Sequence, residues 1–255
     1  MSTAEIESLS PLILSTDQVN DVCVPDFSIE PPKDTSPTFL WLEITGQCQL
    51  SCDHCYANSG PLATQGTMTA EDWEKVIDSG AEDNVQSVQF IGGEPTLNKD
   101  LPRLIKHATS KGLSVEVFSN LTHISEKLWQ VFKEENVSLA TSYYSDESAI
   151  HDSITHGNKS HIRTKNNIEE AVKRNVPIRV GIIVMKAEQD VEATVSDLIA
   201  SGVSSDMIGV DYIRSVGRPS TDTKLDPTQL CGHCGDGVAA ILPDGNVSPC
   251  VFLEK

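Results

Sequence analysis

From Phe39 onward, short apolar runs alternate with amphipathic stretches. Phe39–Thr45, Val85–Ile91, Leu113–Asn120, Val137–Ser142, Val176–Met185 and Ile208–Ile213 read as strands. Thr69 offers a helix N-cap, with Glu71 and Asp72 in the first turn and Trp73, Val76 and Ile77 at helical spacing. Further helices are predicted over Leu101–Ser110, Glu126–Lys133, about Thr164–Arg174, and Val191–Ala200. The polar stretch His151–His161 reads as a loop. Strand and helix in strict alternation predict βα units and a parallel sheet. Six such units make an open, partial (β/α)6 TIM-like barrel, assigned to residues 37–225. Residues 1–36, with several prolines and little periodicity, read as an extended or loosely packed N-terminal extension. Residues 226–255 read as a short cysteine-containing extension, with Ala239–Ser248 forming a β-hairpin around Asp244-Gly245.

Composition narrows the function classes. A chain of 255 residues can bury a substantial core as one barrel. The formal net charge of −18 is spread along the chain. That argues against binding nucleic-acid phosphates, which needs clustered Lys and Arg. No apolar run approaches the roughly 18 residues of a membrane span, and no signal pattern opens the sequence. The expected protein is soluble and cytoplasmic, and its seven cysteines then point to metal or redox chemistry rather than disulfides.

Three of those cysteines, Cys48, Cys52 and Cys55, stand at C-x3-C-x2-C spacing on the loop after the first strand. Three thiolates on one short loop can hold three irons of a cubane cluster, whose usual complement is four cysteines, leaving one iron open. A structural zinc site would need a fourth ligand, and His54, between Cys52 and Cys55, is awkwardly placed to join them. Tyr56 follows the last cysteine, and Gly92-Gly93-Glu94-Pro95 follows the second strand. In α/β sheets, ligands gather at the carboxyl ends of the strands, which is where all these segments fall.

Together the motifs resemble the radical S-adenosylmethionine (radical SAM) superfamily, and the likeness covers nearly the whole chain from Phe39. It implies a [4Fe-4S] cluster held by Cys48, Cys52 and Cys55, with S-adenosylmethionine (SAM) chelated at the open iron and split to a 5′-deoxyadenosyl radical. It further implies that Gly92, Gly93, Glu94 and Pro95 hold the SAM amino group, and that Tyr56 packs near the adenine. Ser119, Asn120 and Ser142, at strand ends, are expected at the ribose or carboxylate. Arg163 is expected to pair with the carboxylate as a bidentate fork. His151, His156 and His161 read chiefly as solvated loop residues, and Tyr143 and Tyr144 equally as pocket or packing residues.

The C-terminal stretch carries Cys231-Gly-His-Cys234 and then Cys250. This spacing resembles the opening of a SPASM or twitch segment, and implies one auxiliary iron–sulfur cluster on Cys231, Cys234 and Cys250. The longer cysteine run of a full SPASM domain is missing. A zinc site completed by His233 is the competing reading, and Cys23 reads as a spare thiol. Relatives with such segments commonly modify ribosomally made peptides, and others oxidise small molecules. The expected partners are a peptide or small-molecule substrate and an electron donor such as flavodoxin or ferredoxin, with neither nucleic acid nor membrane.

Overall fold

The computed structural model describes residues 36–219, Gly232 and residues 235–253. Cys23, Cys231, His233 and Cys234 lie outside them, as do the expected N-terminal extension (apart from Ser36) and the expected boundary at residue 225.

Six strands, β1 (Phe39–Glu43), β2 (Ser87–Ile91), β3 (Ser114–Phe118), β4 (Ser138–Tyr143), β5 (Ile178–Val184) and β6 (Ile208–Tyr212), pair in parallel and in sequence order. The connecting helices are α1 (Ala70–Glu82), α2 (Leu101–Ser110), α3 (Glu126–Glu134), α4 (Ser148–Thr155), α5 (Ser160–Lys173) and α6 (Val191–Ala200). The sheet curls without closing, as expected of a partial barrel. The expected hairpin forms as β7 (Val238–Ile241) and β8 (Val247–Ser248), joined through a turn in which Gly245 donates to Leu242 O and adopts φ +89°. It is built onto the barrel: β7 runs parallel to β1, pairing Phe39 with Val238 and Leu42 with Ile241. The hairpin thus lengthens the sheet at the β1 edge.

The period-two alternation of the strands separates two faces. One face, with Leu40, Leu42, Val88, Phe90, Val115, Val117, Leu139, Val180 and Ile182, packs against the helices in a single apolar core. The helices supply Trp73, Ile77, Leu101, Leu104, Ile105, Trp129 and Phe132 to it. Thr69 caps α1 through a reciprocal capping box with Asp72. The other face points into the barrel and is partly polar. There Gln89, Glu116 and Arg179, from β2, β3 and β5, form one hydrogen-bonded row, with Arg179 forking onto Glu116 at 2.7 and 2.9 Å.

The loop expected over residues 151–161 is corrected: its first half is the C-terminal part of α4, and α5 begins at Ser160. Each departure has its own cause. The buried face of α4 is His151, Ile154 and Thr155, a mostly polar set that gives no apolar periodicity. The cap of α5 comes from Asp152, eight residues upstream, whose carboxylate accepts from Lys159 N, His161 N and Ser160 Oγ at 2.7–2.9 Å.

Candidate functional site

The carboxyl ends of the strands surround a cavity of about 670 Å³. Its wall includes all three loop cysteines, Tyr56, Gly92, Gly93, Ser119, Asn120 and Ser142.

The cysteine loop follows β1 and is fastened to the second strand's turn by close backbone hydrogen bonds. Gly93 N donates to Thr45 O and Glu94 N to Gln47 O, both at 2.7 Å. A Cβ on Gly92 would stand 2.3 Å from Thr45 O, and one on Gly93 2.2 Å from Gln47 O. Gly92 also has φ +148°, a backbone state that L side chains rarely adopt. Both glycines therefore serve the close seating of two loops as well as the cavity floor.

The Glu94 side chain is turned into the fold and does not line the cavity. It is fully buried and accepts from Thr96 N and Oγ1, Ser119 Oγ and Asn120 N, at 2.7–3.1 Å. Burial pushes its carboxyl up, against those donors. It ties the β2 turn to the end of β3, and in doing so engages the Ser119 hydroxyl. Pro95 is buried at the head of a short 3₁₀ turn, outside the cavity wall. Arg163 is exposed on α5, and the cavity wall on that helix is its neighbour Thr164, whose hydroxyl donates to Asn120 O at 2.8 Å. The guanidiniums that do line the cavity are those of Arg179 and Arg214.

The thiols sit in a setting that suits a cationic centre. Burial pushes the Cys48 and Cys52 thiols up to about 12, and for Cys52 the neighbouring Cys48 and Cys55 add like-charge repulsion. Donors nevertheless point at sulfur: Leu50 N and Asn120 Nδ2 at Cys48 Sγ (3.4 and 3.6 Å), and Ser59 N at Cys55 Sγ (3.3 Å). A bound iron cluster would compensate the buried thiolate charge. Among the described residues, no three His, Cys, Asp or Glu side chains are grouped to hold a single metal ion. A cubane asks each thiolate only to reach its own iron.

Of the histidines expected on a loop, only His156 is exposed, at a left-handed position where it pairs with Asp53. His161 is buried with both ring nitrogens engaged, by Tyr143 Oη at 2.7 Å and Ser148 Oγ at 2.9 Å. His151 is buried in the cavity wall among the rings of Tyr143, Tyr144 and His161, and its Nδ1 has no partner among the described residues. Tyr144 lines the cavity and hydrogen-bonds His54 Nε2 at 3.1 Å, while Tyr143 faces the packed side. Arg179, Arg214 and Thr164 carried no signal in the sequence, because each is a single polar residue in an otherwise ordinary strand, loop or helix, and His54 stood out there only as an awkwardly placed zinc ligand. Cys250 is buried in a second apolar cluster with Ile91, Ala240 and Val251, against which Trp41, Tyr56 and Phe252 pack.

Fold and site define a class: an open parallel (β/α) barrel that presents three clustered thiols and a Gly-Gly turn at the mouth of one cavity. The chain belongs to the radical SAM superfamily, whose family profile matches residues 42–198. It is 32% identical over 115 residues to the Fe-coproporphyrin III synthase of Methanosarcina barkeri, covering 45% of this chain and 29% of that protein. It is 28% identical over 162 residues to the PqqA peptide cyclase of Bradyrhizobium diazoefficiens, covering 61% of this chain and 42% of that protein. The chain thus matches less than half the length of either relative. Among solved structures it resembles SuiB of Streptococcus suis bound to S-adenosylmethionine, with TM-score 0.71 and 16% identity, over 86% of this chain and 61% of that one. SuiB has also been solved with its precursor peptide SuiA. Among the described residues, no helix is long and apolar enough to cross a membrane.

Proposed function

We propose that the protein is a radical SAM enzyme that modifies a ribosomally made peptide. The observation that carries the reading is the convergence of Cys48, Cys52, Cys55, Gly92 and Gly93 on one large cavity at the carboxyl ends of the strands. The loop thiols would hold a [4Fe-4S] cluster, which when bound supplies the electron that splits SAM. The chain's own contribution is positional. The backbone of Gly92 and Gly93 offers carbonyls to an ammonium group, Tyr56 offers an aromatic face, and Ser142 and Thr164 offer hydroxyls. The barrel walls shield the reacting carbon from water. A peptide substrate is favoured by the likeness to the PqqA peptide cyclase and to SuiB, and a flavodoxin or ferredoxin is the electron donor consistent with the chemistry. A small-molecule substrate is the second reading, favoured by the match to the Fe-coproporphyrin III synthase. An auxiliary iron–sulfur cluster on Cys231, Cys234 and Cys250 completes the proposal. Its support is the buried position of Cys250, in one apolar cluster with Tyr56 beside the primary site.

The test is anaerobic reconstitution followed by incubation with dithionite and SAM. The wild type is expected to form 5′-deoxyadenosine, and a Cys48/Cys52/Cys55→Ala variant none. Absence of product from an iron-loaded wild type would refute the radical reading. Deuterium carried from a labelled precursor peptide into 5′-deoxyadenosine separates the peptide reading from the small-molecule one. Loss of about half the iron in a Cys231/Cys234/Cys250→Ala variant is the result expected of an auxiliary cluster.

A further inference from the structure

The cysteine loop is gripped from two sides. On one side, the last turn of α4 supplies carbonyl acceptors: Ser51 N donates to Thr155 O at 3.2 Å and Asp53 N to Ile154 O at 3.0 Å. On the other side lies the turn after β6. There Gly217, at φ +68°, is packed so closely that an added Cβ would stand 2.2 Å from Tyr56 O. The next residue, Arg218, makes three bonds to the loop. Its backbone N–H donates to Cys55 O at 2.9 Å, one guanidinium nitrogen donates to Cys52 O, and the other donates to Ser59 O at 2.5 Å. A guanidinium holds two acceptors in a fixed fork, so it sets the spacing between residues 52 and 59 as a flexible ammonium would not.

We propose that Arg218 is a positioning residue for the iron–sulfur site, clamping the segment that carries Cys52 and Cys55 and placing a fixed positive charge beside it. The inference rests on the three-thiol loop being a cluster site, as proposed above. Cluster potentials respond to net charge and to hydrogen bonding near the sulfurs. One-electron reduction adds negative charge to an already anionic site, so a nearby cation favours the reduced form.

The test compares wild type, Arg218→Lys and Arg218→Met in two measurements. In the iron-free chain, alkylation by iodoacetamide read by mass spectrometry reports the clamp without any cluster. Cys52 and Cys55 are expected to react at least fivefold faster in both variants, with far-UV circular dichroism unchanged. In the loaded protein, redox titration followed by electron paramagnetic resonance reports the charge. Arg218→Met is expected to shift the reduction equilibrium about tenfold toward the oxidised form, equivalent to about 59 mV for a one-electron couple. Arg218→Lys is expected to stay within threefold of wild type. Unchanged alkylation in both variants overturns the clamp. Equal potentials in Arg218→Met and Arg218→Lys overturn the role of the charge. If Arg218→Met fails to retain iron, its alkylation rate and the potential of Arg218→Lys decide. A wild type that takes up no iron would refute the functional reading, while the alkylation comparison would still judge the clamp.

Discussion

Gly93→Ala tests the idea that the two motifs form one rigid unit. The new Cβ would lie 2.2 Å from Gln47 O, 2.5 Å from Gln47 C and 2.8 Å from Gly46 O. Ordinary contact begins near 3.4 Å, so the cysteine loop must retreat by about 1.2 Å. All three obstructing atoms are backbone, and no side chain can swing aside. Retreat breaks the 2.7 Å bonds from Gly93 N to Thr45 O and from Glu94 N to Gln47 O. Two lost backbone bonds at about 1 kcal/mol each, with overpacking of about 1–3 kcal/mol, give an expected loss of about 3–5 kcal/mol. Chemical denaturation of the iron-free chain measures it, and iron retained after reconstitution reports the displaced loop. Gly112→Ala is the control. Gly112 has φ +82° but nothing within 4 Å of a new Cβ, so it should cost only about 1–2 kcal/mol of backbone strain and leave iron binding intact. If Gly93→Ala is no more costly than Gly112→Ala and binds iron normally, the interlocking argument is wrong.

Burial pushes the His151 imidazole down to about 3, with the neighbouring His161 charge acting in the same direction and Asp152 opposing. Its folded value lies below the unfolded one, so the stability it contributes is present above about pH 6.5 and is lost as pH falls from there toward 3. Between pH 7.5 and 5.5 the wild type should therefore lose about 1.4 kcal/mol that His151→Phe keeps, as read by denaturant unfolding at both pH values. An identical pH dependence in the two proteins would contradict the buried, uncharged assignment. Asp152→Ala removes the only carboxylate seen capping α5 among the described residues, and should cost about 1–2 kcal/mol at pH 7. The three donors hold the Asp152 carboxyl below the usual range, so this cost is present above about pH 4 and shrinks as pH falls through the folded value.

The alternating apolar runs and the C-x3-C-x2-C and Gly-Gly-Glu-Pro spacings are local properties of the chain. Strand periodicity, capping at Thr69 and the order of βα units together allow few topologies, so the barrel and the place of the cysteine loop on it were legible in the sequence. What only the tertiary structure decided are contacts between segments distant in the chain. Glu94 became a buried tie because Ser119 and Asn120 arrive with donors from the next strand. Thr164 rather than Arg163 faces the cavity because the buried face of α5 runs through Thr164, Ile168 and Ala171, with the Thr164 hydroxyl donating to Asn120 O. The hairpin joined the sheet because β1 offered it a parallel edge, and backbone hydrogen bonds leave no mark on residue type. The Arg218 clamp is likewise read by carbonyls more than 150 residues away in sequence. Sequence pattern records the face a residue presents, whereas the partner it meets there is set by how distant segments pack.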